Sequence, residues 1–255
     1  MNLNELIRKM IFKNNDLFKS LGYTVVPVFA TEKCDSCNMT SISEDELVFS
    51  HSIHMEPYDT PIFAFRDWNK ISSILGMFSD DLNIKIDTEF EETLNKDCPS
   101  IIRFNSSSVK IKHFLQSYKF YSLQENNNVA YKKKKFILLT LNDSNVDFDS
   151  ESLRQVSKAV SILNDKEFRL KVEGEEVYAL IGDEDKSVDN ITVKIGTTTS
   201  QPFTSGNKFS FDHFNAIFKS YEKMDGVNYI KIFNDKIVFT NVDDKMVTTT
   251  LLRSR

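Results

Sequence analysis

The chain has 255 residues, of which 40% are hydrophobic and 27% are charged, and its net charge is −5. This composition is typical of a globular protein with a buried core, and the scarcity of Gly and Pro excludes a low-complexity or collagen-like chain. The acidic balance disfavours a simple basic nucleic-acid binder, although the distribution of charge matters more than its sum.

The first half of the chain predicts two helices and several strands. An amphipathic helix is expected over residues 3–19 and a second over residues 66–78, because apolar side chains recur there at helical spacing. Runs rich in β-branched and aromatic residues, bounded by turn-forming residues, predict strands. In this half they include residues 24–30, 46–53 and 100–104.

A polar stretch without apolar periodicity, residues 123–135, is predicted to link the two halves. It ends in the run Lys132–Lys135, which either contacts nucleic acid or solvates the linker. The second half is expected to begin with a strand at 136–142 and to hold helices at 150–164 and 212–224. Its further strands are predicted at 168–172, 176–182, 190–196, 236–242 and 246–252.

Each half therefore contains two helices and several strands. This order predicts an α+β fold with two similar domains, each with two helices packed on antiparallel sheet. The expected domain boundaries are 1–122 for the N-terminal domain and 136–255 for the C-terminal domain, on either side of the linker.

An internal repeat supports this division. The block FAFRDWNKISSILGMFSDDLNIKI, residues 63–86, matches FSFDHFNAIFKSYEKMDGVNYIKI, residues 209–232, at 7 of 24 positions without a gap. Both blocks have the order strand, helix, strand, and most of the remaining core positions stay apolar or aromatic, such as Trp68 with Phe214. Two copies of a unit of this size indicate duplicated domains rather than a solenoid.

Every predicted helix carries a pair of cationic side chains at i, i+4, away from its apolar face. On a single helix such a pair is ordinary solvated surface, but four pairs in an acidic protein point to a common basic side. Scattered Lys and Arg suit contacts to phosphates, which are insensitive to base sequence and weaken with salt. The eight candidate residues are Lys9, Lys13, Arg66, Lys70, Arg154, Lys158, Lys219 and Lys223. Asp212 and Glu222 reduce the positive charge of the fourth helix.

The repeated blocks, the helix SESLRQVSKAVSIL and the C-terminal segment YIKIFNDKIVFTNVDDKMVTTTLL resemble DNA sliding clamps. The sequence is most similar to the clamps of T-even-type bacteriophages, and next to the proliferating-cell nuclear antigen type. The resemblance extends over nearly the whole chain and lies in the order of elements rather than in a short signature.

The resemblance implies a closed ring of three identical protomers around duplex DNA, with helices lining the hole and subunits joined by pairing edge strands. It also implies a DNA polymerase that the ring tethers, an ATP-driven clamp loader, and no chemistry or cofactor of its own. Partner tails are expected to dock near residues 115–131 and 249–253.

Two alternatives remain open at the level of sequence. One is a viral structural or assembly protein built from duplicated domains. The other is a zinc-dependent nucleic-acid-binding module, because Cys34 and Cys37 precede His51 and His54. The two histidines are spaced too tightly for a usual zinc site, and three positions apart in a strand they point to opposite faces. Phosphate-binding loops and a nucleophile elbow do not occur in the sequence.

The compartment is predicted from what the sequence lacks. No apolar run reaches the roughly 18 residues that span a bilayer, and the charged, amphipathic N-terminus differs from a signal peptide. Three cysteines without framework spacing fit a reducing environment. We therefore expect a cytoplasmic protein without membrane contact, in the host cell if the protein is viral.

Overall fold

The structure is a computed structural model of the whole chain. The residues that it describes are 3–21, 28–32, 36–43, 45, 47–54, 63–65, 67–78, 82–92, 96–115, 146–148, 150–182, 189–198, 203–244 and 246–255. They form two compact units. The first contains residues 1–136 together with 242–248, and the second contains residues 137–241 together with 249–255.

The first unit combines two helices with two antiparallel sheets in its described part. Strands β1, β2 and β3 pair in order, and β4 pairs with the other edge of β1. Strands β5, β6 and β7 form a separate sheet in that order. The elements are α1 (Leu3–Ser20), β1 (Val28–Glu32), β2 (Ser36–Ile42), β3 (Val48–His54), β4 (Phe63–Ala64), α2 (Trp68–Leu75), β5 (Asn83–Glu91), β6 (Lys96–Asn105) and β7 (Lys110–Phe114).

The second unit repeats this combination. Strands β12, β9, β10, β11 and β8 lie in that order in one sheet, β13 also pairs with β9, and β14, β15 and β16 are neighbours in order. The elements are β8 (Val146–Phe148), α3 (Ser150–Leu163), β9 (Glu167–Glu173), β10 (Glu176–Ile181), β11 (Ile191–Thr198), β12 (Phe203–Thr204), β13 (Phe209–Ser210), α4 (Phe211–Glu222), β14 (Val227–Ile232), β15 (Lys236–Asp243) and β16 (Met246–Arg253). The predicted α+β fold with antiparallel sheets is confirmed.

The internal repeat corresponds to the segments β4–α2–β5 and β13–α4–β14. The apolar helix positions of the two copies are buried alike. Trp68 and Phe214 are at most 2% exposed, and Ile71 and Ile217 are fully buried. The copies differ at the hairpin that follows: β5 continues to Glu91, whereas β14 ends at Ile232.

Aromatic side chains form the centre of each unit. In the first, Trp68 makes edge-to-face contacts with Phe18 and Phe65, with ring centroids 5.0 and 5.5 Å apart. In the second, Phe214 contacts Phe168 and Phe239 at 5.3 and 5.7 Å. Such pairs contribute about 0.5–1.5 kcal/mol beyond the burial of their area. Phe is therefore the main aromatic residue of both cores in the part of the chain that the structure describes.

The ends of two helices differ from the predictions. Helix α2 begins at Trp68 rather than at residue 66, because the Asp67 carboxylate accepts a hydrogen bond from the Lys70 backbone N–H and caps the helix. It ends before Gly76 rather than at residue 78. Helix α4 ends at Glu222, so that Lys223 is its C-cap rather than a helical residue. Helices α1 and α3 agree with the predictions to within one residue.

Residues 242–248 are joined to the first unit by polar contacts. The Thr248 and Ser52 hydroxyls lie 2.9 Å apart, and the Ser52 hydroxyl donates to the Asn14 side chain at 3.1 Å. All three side chains are buried. A segment near the end of the chain thus contributes to the core beside the first helix. The predicted linker at 123–135 and strand at 136–142 lie outside the described residues, so the proposed domain boundaries stay predictions.

Candidate nucleic-acid interface

Helix α3 separates its apolar and basic sides cleanly. Its buried side is made of Leu153, Val156, Ala159 and Val160. Arg154 and Lys158 lie on the opposite side and are exposed. Because the two cations are four residues apart, they lie one above the other on the helix surface.

Helix α4 has the same division. Its buried side contains Phe214, Ile217, Phe218 and Tyr221, as the sequence predicts. Lys219 is exposed in its last turn, and Lys223 is exposed just beyond the helix. The Ser210 hydroxyl caps the other end by accepting from the His213 backbone N–H at 3.4 Å.

Helix α2 presents one of its two candidate cations. Lys70 is exposed, and its backbone N–H rather than its side chain bonds to Asp67. Arg66 lies outside the described residues, immediately before the cap residue Asp67.

The two candidates on helix α1 have different surroundings. Lys9 is exposed. The Lys13 side chain is only 9% exposed, and its ammonium lies 3.2 Å from the Asp243 carboxylate. The prediction that Lys13 presents its charge to a ligand is therefore corrected: its charge is used within the first unit. The sequence could not reveal this pair, because the two residues are 230 positions apart.

Acidic side chains accompany some of the exposed cations. Arg154 pairs with Glu151 at 2.9 Å on the same helix, and both side chains are largely exposed. Asp212, in the first turn of α4, pairs with Lys166 at 3.4 Å. Lys166 lies beside α4 without belonging to a helix, so a search for cations at helical spacing does not find it.

The exposed cations can bind anions but cannot read bases by themselves. Lys9, Lys70, Lys158 and Lys219 offer ammonium groups on long, flexible stems. Such groups contact phosphates as point charges, whereas base recognition needs side chains fixed against base edges. These helix surfaces are therefore chemically suited to non-specific contacts with a polyanion backbone.

The candidate zinc residues do not come together. Cys37 and His54 are register partners on β2 and β3, and His51 lies beside Thr40 instead. Burial alternates along β3, so that His54 is buried and His51 is half-buried on the other face. Cys34 lies outside the described residues. Within the described ranges, no group of three His, Cys, Asp or Glu side chains is arranged to hold a metal ion.

One exposed apolar side chain lies on the edge strand β7, and another lies on α3 beside β11. In the described part of the first unit, β7 pairs only with β6, and its Phe114 is 55% exposed with the Lys112 ammonium 4.6 Å from its ring centroid. In the second unit, β11 pairs with β8 only at Gly196–Thr198. A groove of about 910 Å³ lies between this strand and α3, and it is lined by the 74% exposed Ile162 and by Lys158.

Lys194, which also lines this groove, belongs to a polar cluster. Lys194 of β11 donates to the Glu176 carboxylate, and the Tyr178 hydroxyl donates to the same group. These hydrogen bonds, with that from Lys194 the larger influence, hold the pKa of Glu176 below its ordinary value. The bond to Glu176 raises the pKa of Tyr178. The cluster therefore joins the neighbouring strands β10 and β11 through an ion pair between Lys194 and Glu176.

The predicted partner groove is only partly within the described ranges. Residues 116–131 and the Lys132–Lys135 run lie outside them. Thr250, Leu251 and Leu252 of β16 are buried and leave no apolar side chain exposed on that part of the strand. Among the helices that the structure describes, none has the length and apolar character needed to cross a bilayer.

The sequence matches no protein-family model and no curated protein. Solved structures of proliferating cell nuclear antigen (PCNA), in contrast, share its fold. The protein of Entamoeba histolytica has a TM-score of 0.60 at 12% identity, with 96% of this chain and 95% of that chain covered. That of Archaeoglobus fulgidus (A. fulgidus), bound to the C-terminal region of FEN-1, has 0.63 at 12%, with 97% and 95% covered. That of Thermococcus kodakaraensis has 0.62 at 10%, with 97% and 96% covered. The chain therefore has the α+β fold of the PCNA-type sliding clamps.

Proposed function

We propose that this protein is a DNA sliding clamp, which encircles duplex DNA and tethers a DNA polymerase without catalysing a reaction. The observation that carries the proposal is the exposed cations on the outer side of all four described helices, in a protein whose net charge is negative. Because the fold is that of PCNA, these helix surfaces are the ones that would face the duplex.

The residues that we assign to the DNA backbone are those that the structure leaves exposed. They are Lys9, Lys70, Arg154, Lys158, Lys219 and Lys223. Lys13 is left out because it pairs with Asp243. Each residue contributes a weak, salt-sensitive contact without base recognition, and such contacts permit the ring to move along the duplex.

We further propose that three copies close into a ring through their strand edges. The β7 edge carries Phe114, and the groove beside β11 carries Ile162. If the β7 edge of one copy adds to β11 of the next, it would satisfy unpaired backbone groups and would cover both Phe114 and Ile162. A head-to-tail contact of this kind uses two different surfaces, and it closes when its rotation is one third of a turn.

The remaining partners of the proposal follow from the resemblance to sliding clamps. They are the tethered polymerase, a clamp loader and short tails of other replication proteins. The A. fulgidus PCNA structure contains the C-terminal region of FEN-1, and we propose that tails dock here near residues 115–131 and 249–253. A T-even-type phage origin, with action in the host cytoplasm, rests on the sequence resemblance alone.

DNA binding is tested by neutralising cations on the helices. The variant Lys9→Gln/Lys70→Gln/Lys158→Gln/Lys219→Gln is compared with Lys85→Gln, which removes a cation that is 69% exposed on β5. Affinity for a blunt 40-base-pair duplex is measured by fluorescence anisotropy between 50 and 300 mM NaCl. Each lost phosphate contact lowers the steepness of the log–log salt dependence by about 0.9.

We expect the quadruple variant to lose at least tenfold in affinity at 100 mM NaCl and to show the shallower salt dependence. Lys85→Gln should bind as the wild type does. A loss in Lys85→Gln as large as the loss per substitution in the quadruple variant would attribute DNA binding to net charge alone and would contradict the proposed surface.

Ring formation is tested separately by sedimentation over a dilution series. Phe114→Asp places a charge on the β7 edge and should shift the protein from trimer to monomer. Phe90→Asp is the matched control, since Phe90 is 60% exposed on β5, which lies on the opposite side of the same three-stranded sheet from β7. A wild type that is monomeric at all concentrations, or a Phe114→Asp variant that remains trimeric, would overturn the ring.

A further inference from the structure

One cation of the proposed DNA-binding surface is held by an acid on its own helix. The Arg154 guanidinium lies 2.9 Å from the Glu151 carboxylate, with side chains 76% and 63% exposed. Glu151 is the only acidic residue of α3, and Lys158 is its other cation. The outer surface of this helix therefore carries a net charge of one rather than two.

The pair is too weak to keep Arg154 from a phosphate. An exposed ion pair at i, i+3 is weak, because water and salt screen it. A phosphate of the duplex can therefore take the guanidinium from Glu151 at little cost. The Glu151 carboxylate then remains beside the DNA backbone and repels the phosphates.

We propose that Glu151 attenuates the grip of the helix surface on DNA by competing with phosphates for Arg154. This inference rests on the proposed function, and it names a residue whose charge acts against DNA binding. A clamp that must slide gains from weak contacts, and an acid placed beside a cation keeps each contact weak without removing it.

The position of Glu151 also has a structural consequence that any test must separate. It lies in the first turn of α3, where a negative charge interacts favourably with the helix dipole. Replacing it is expected to lower the thermal stability slightly while raising DNA affinity. A residue with a structural role alone would lower stability and leave DNA affinity where it was or reduce it.

The experiment compares Glu151→Gln with Glu173→Gln. Glu173 is a matched control, because it is also exposed and pairs with Lys171 at 2.6 Å, but it lies at the end of β9 rather than on a helix. Both variants change the net charge by the same amount. Affinity for a blunt 40-base-pair duplex is measured by anisotropy from 50 to 300 mM NaCl, and melting temperatures are recorded in parallel. Arg154→Gln and Glu151→Gln/Arg154→Gln complete the set.

We expect Glu151→Gln to bind about fivefold more tightly at 100 mM NaCl, in keeping with the size of exposed charge interactions. The gain in DNA affinity should largely disappear when Glu151→Gln is added to Arg154→Gln. The affinity of Glu173→Gln should rise less than twofold over that of the wild type. Equal gains in the two Glu→Gln variants, or a full gain in the double variant, would overturn the inference. If Arg154→Gln and the wild type bind DNA equally, Arg154 makes no contact, and the assignment of this helix to DNA fails instead. Absence of DNA binding in every variant would overturn both proposals.

Discussion

The pair formed by Lys13 and Asp243 gives a direct test of which cations are structural. The Lys13 side chain is 9% exposed and that of Asp243 is 40% exposed, with 3.2 Å between nitrogen and oxygen. Exposed ion pairs contribute about 0–1 kcal/mol, whereas breaking a fully buried pair costs about 3–5 kcal/mol. Because this pair is intermediate, we expect Asp243→Asn to lower the free energy of unfolding by about 2 kcal/mol.

Lys13→Met should cost less, about 1 kcal/mol, because methionine keeps the apolar stem packed and leaves only a partly exposed carboxylate behind. The double variant should be less destabilised than the sum of the two single changes, with a coupling energy of about 1 kcal/mol. Urea unfolding of the four proteins measures these differences. Repeating the series in 1 M NaCl should reduce the coupling only partly, since a largely buried pair is poorly screened.

The same variants separate stability from DNA binding. Lys13→Met should bind a blunt duplex within twofold of the wild type, whereas Lys9→Met, on the same helix but exposed, should bind more weakly and with a shallower salt dependence. A coupling energy near zero would refute the role of Asp243. Equal losses of DNA affinity in Lys13→Met and Lys9→Met would refute the division between structural and DNA-binding cations.

Three further predictions concern the core and the helix caps. Ile71→Ala and Ile217→Ala, at equivalent and fully buried positions of the repeat, should each lower the free energy of unfolding by about 2–5 kcal/mol in urea titrations. Asp67→Ala should cost about 1 kcal/mol and increase amide exchange in the first turn of α2. Burial raises the pKa of Tyr221 above its ordinary value of 10.0. Stability should therefore fall as pH rises above about 10, because the unfolded tyrosine ionises and the folded one does not, and this contribution should vanish in Tyr221→Phe.

The core of each unit could be predicted from the sequence because it depends on local periodicity. Trp68, Ile71 and their equivalents Phe214 and Ile217 are separated by helical intervals, and apolar residues at that spacing must face a sheet. The repeat strengthened the prediction, since a second copy with the same spacing makes coincidence less probable. The same helical spacing predicted the basic sides of the helices, because residues between the apolar positions must lie on the side away from the core.

The first residue of α2 could also have been predicted from the sequence. Asp67, immediately before the apolar run, is a typical N-cap, and its carboxylate accepts a hydrogen bond from the backbone N–H of Lys70. The prediction gave weight to the apolar pattern alone and started the helix one residue before its cap. Arg66 was assigned to a helix for that reason.

The surroundings of Lys13 could not be predicted. Nothing near residue 13 in the sequence distinguishes it from Lys9, and its partner Asp243 is the last residue of a distant strand, β15. The acid that accompanies Arg154, in contrast, is only three residues away, at a spacing that predicts an ion pair. Contacts between distant residues decide which of several similar charges is available to a ligand.

The contribution of residues 242–248 to the first unit has a consequence for synthesis of the chain. Domains commonly fold as they leave the ribosome, in the order of translation. Here Asn14 and Ser52 are made early, but Thr248 reaches them only after residues 137–241 have been translated, which takes roughly 5–20 s. The first unit is thus completed only after most of the second unit has been translated.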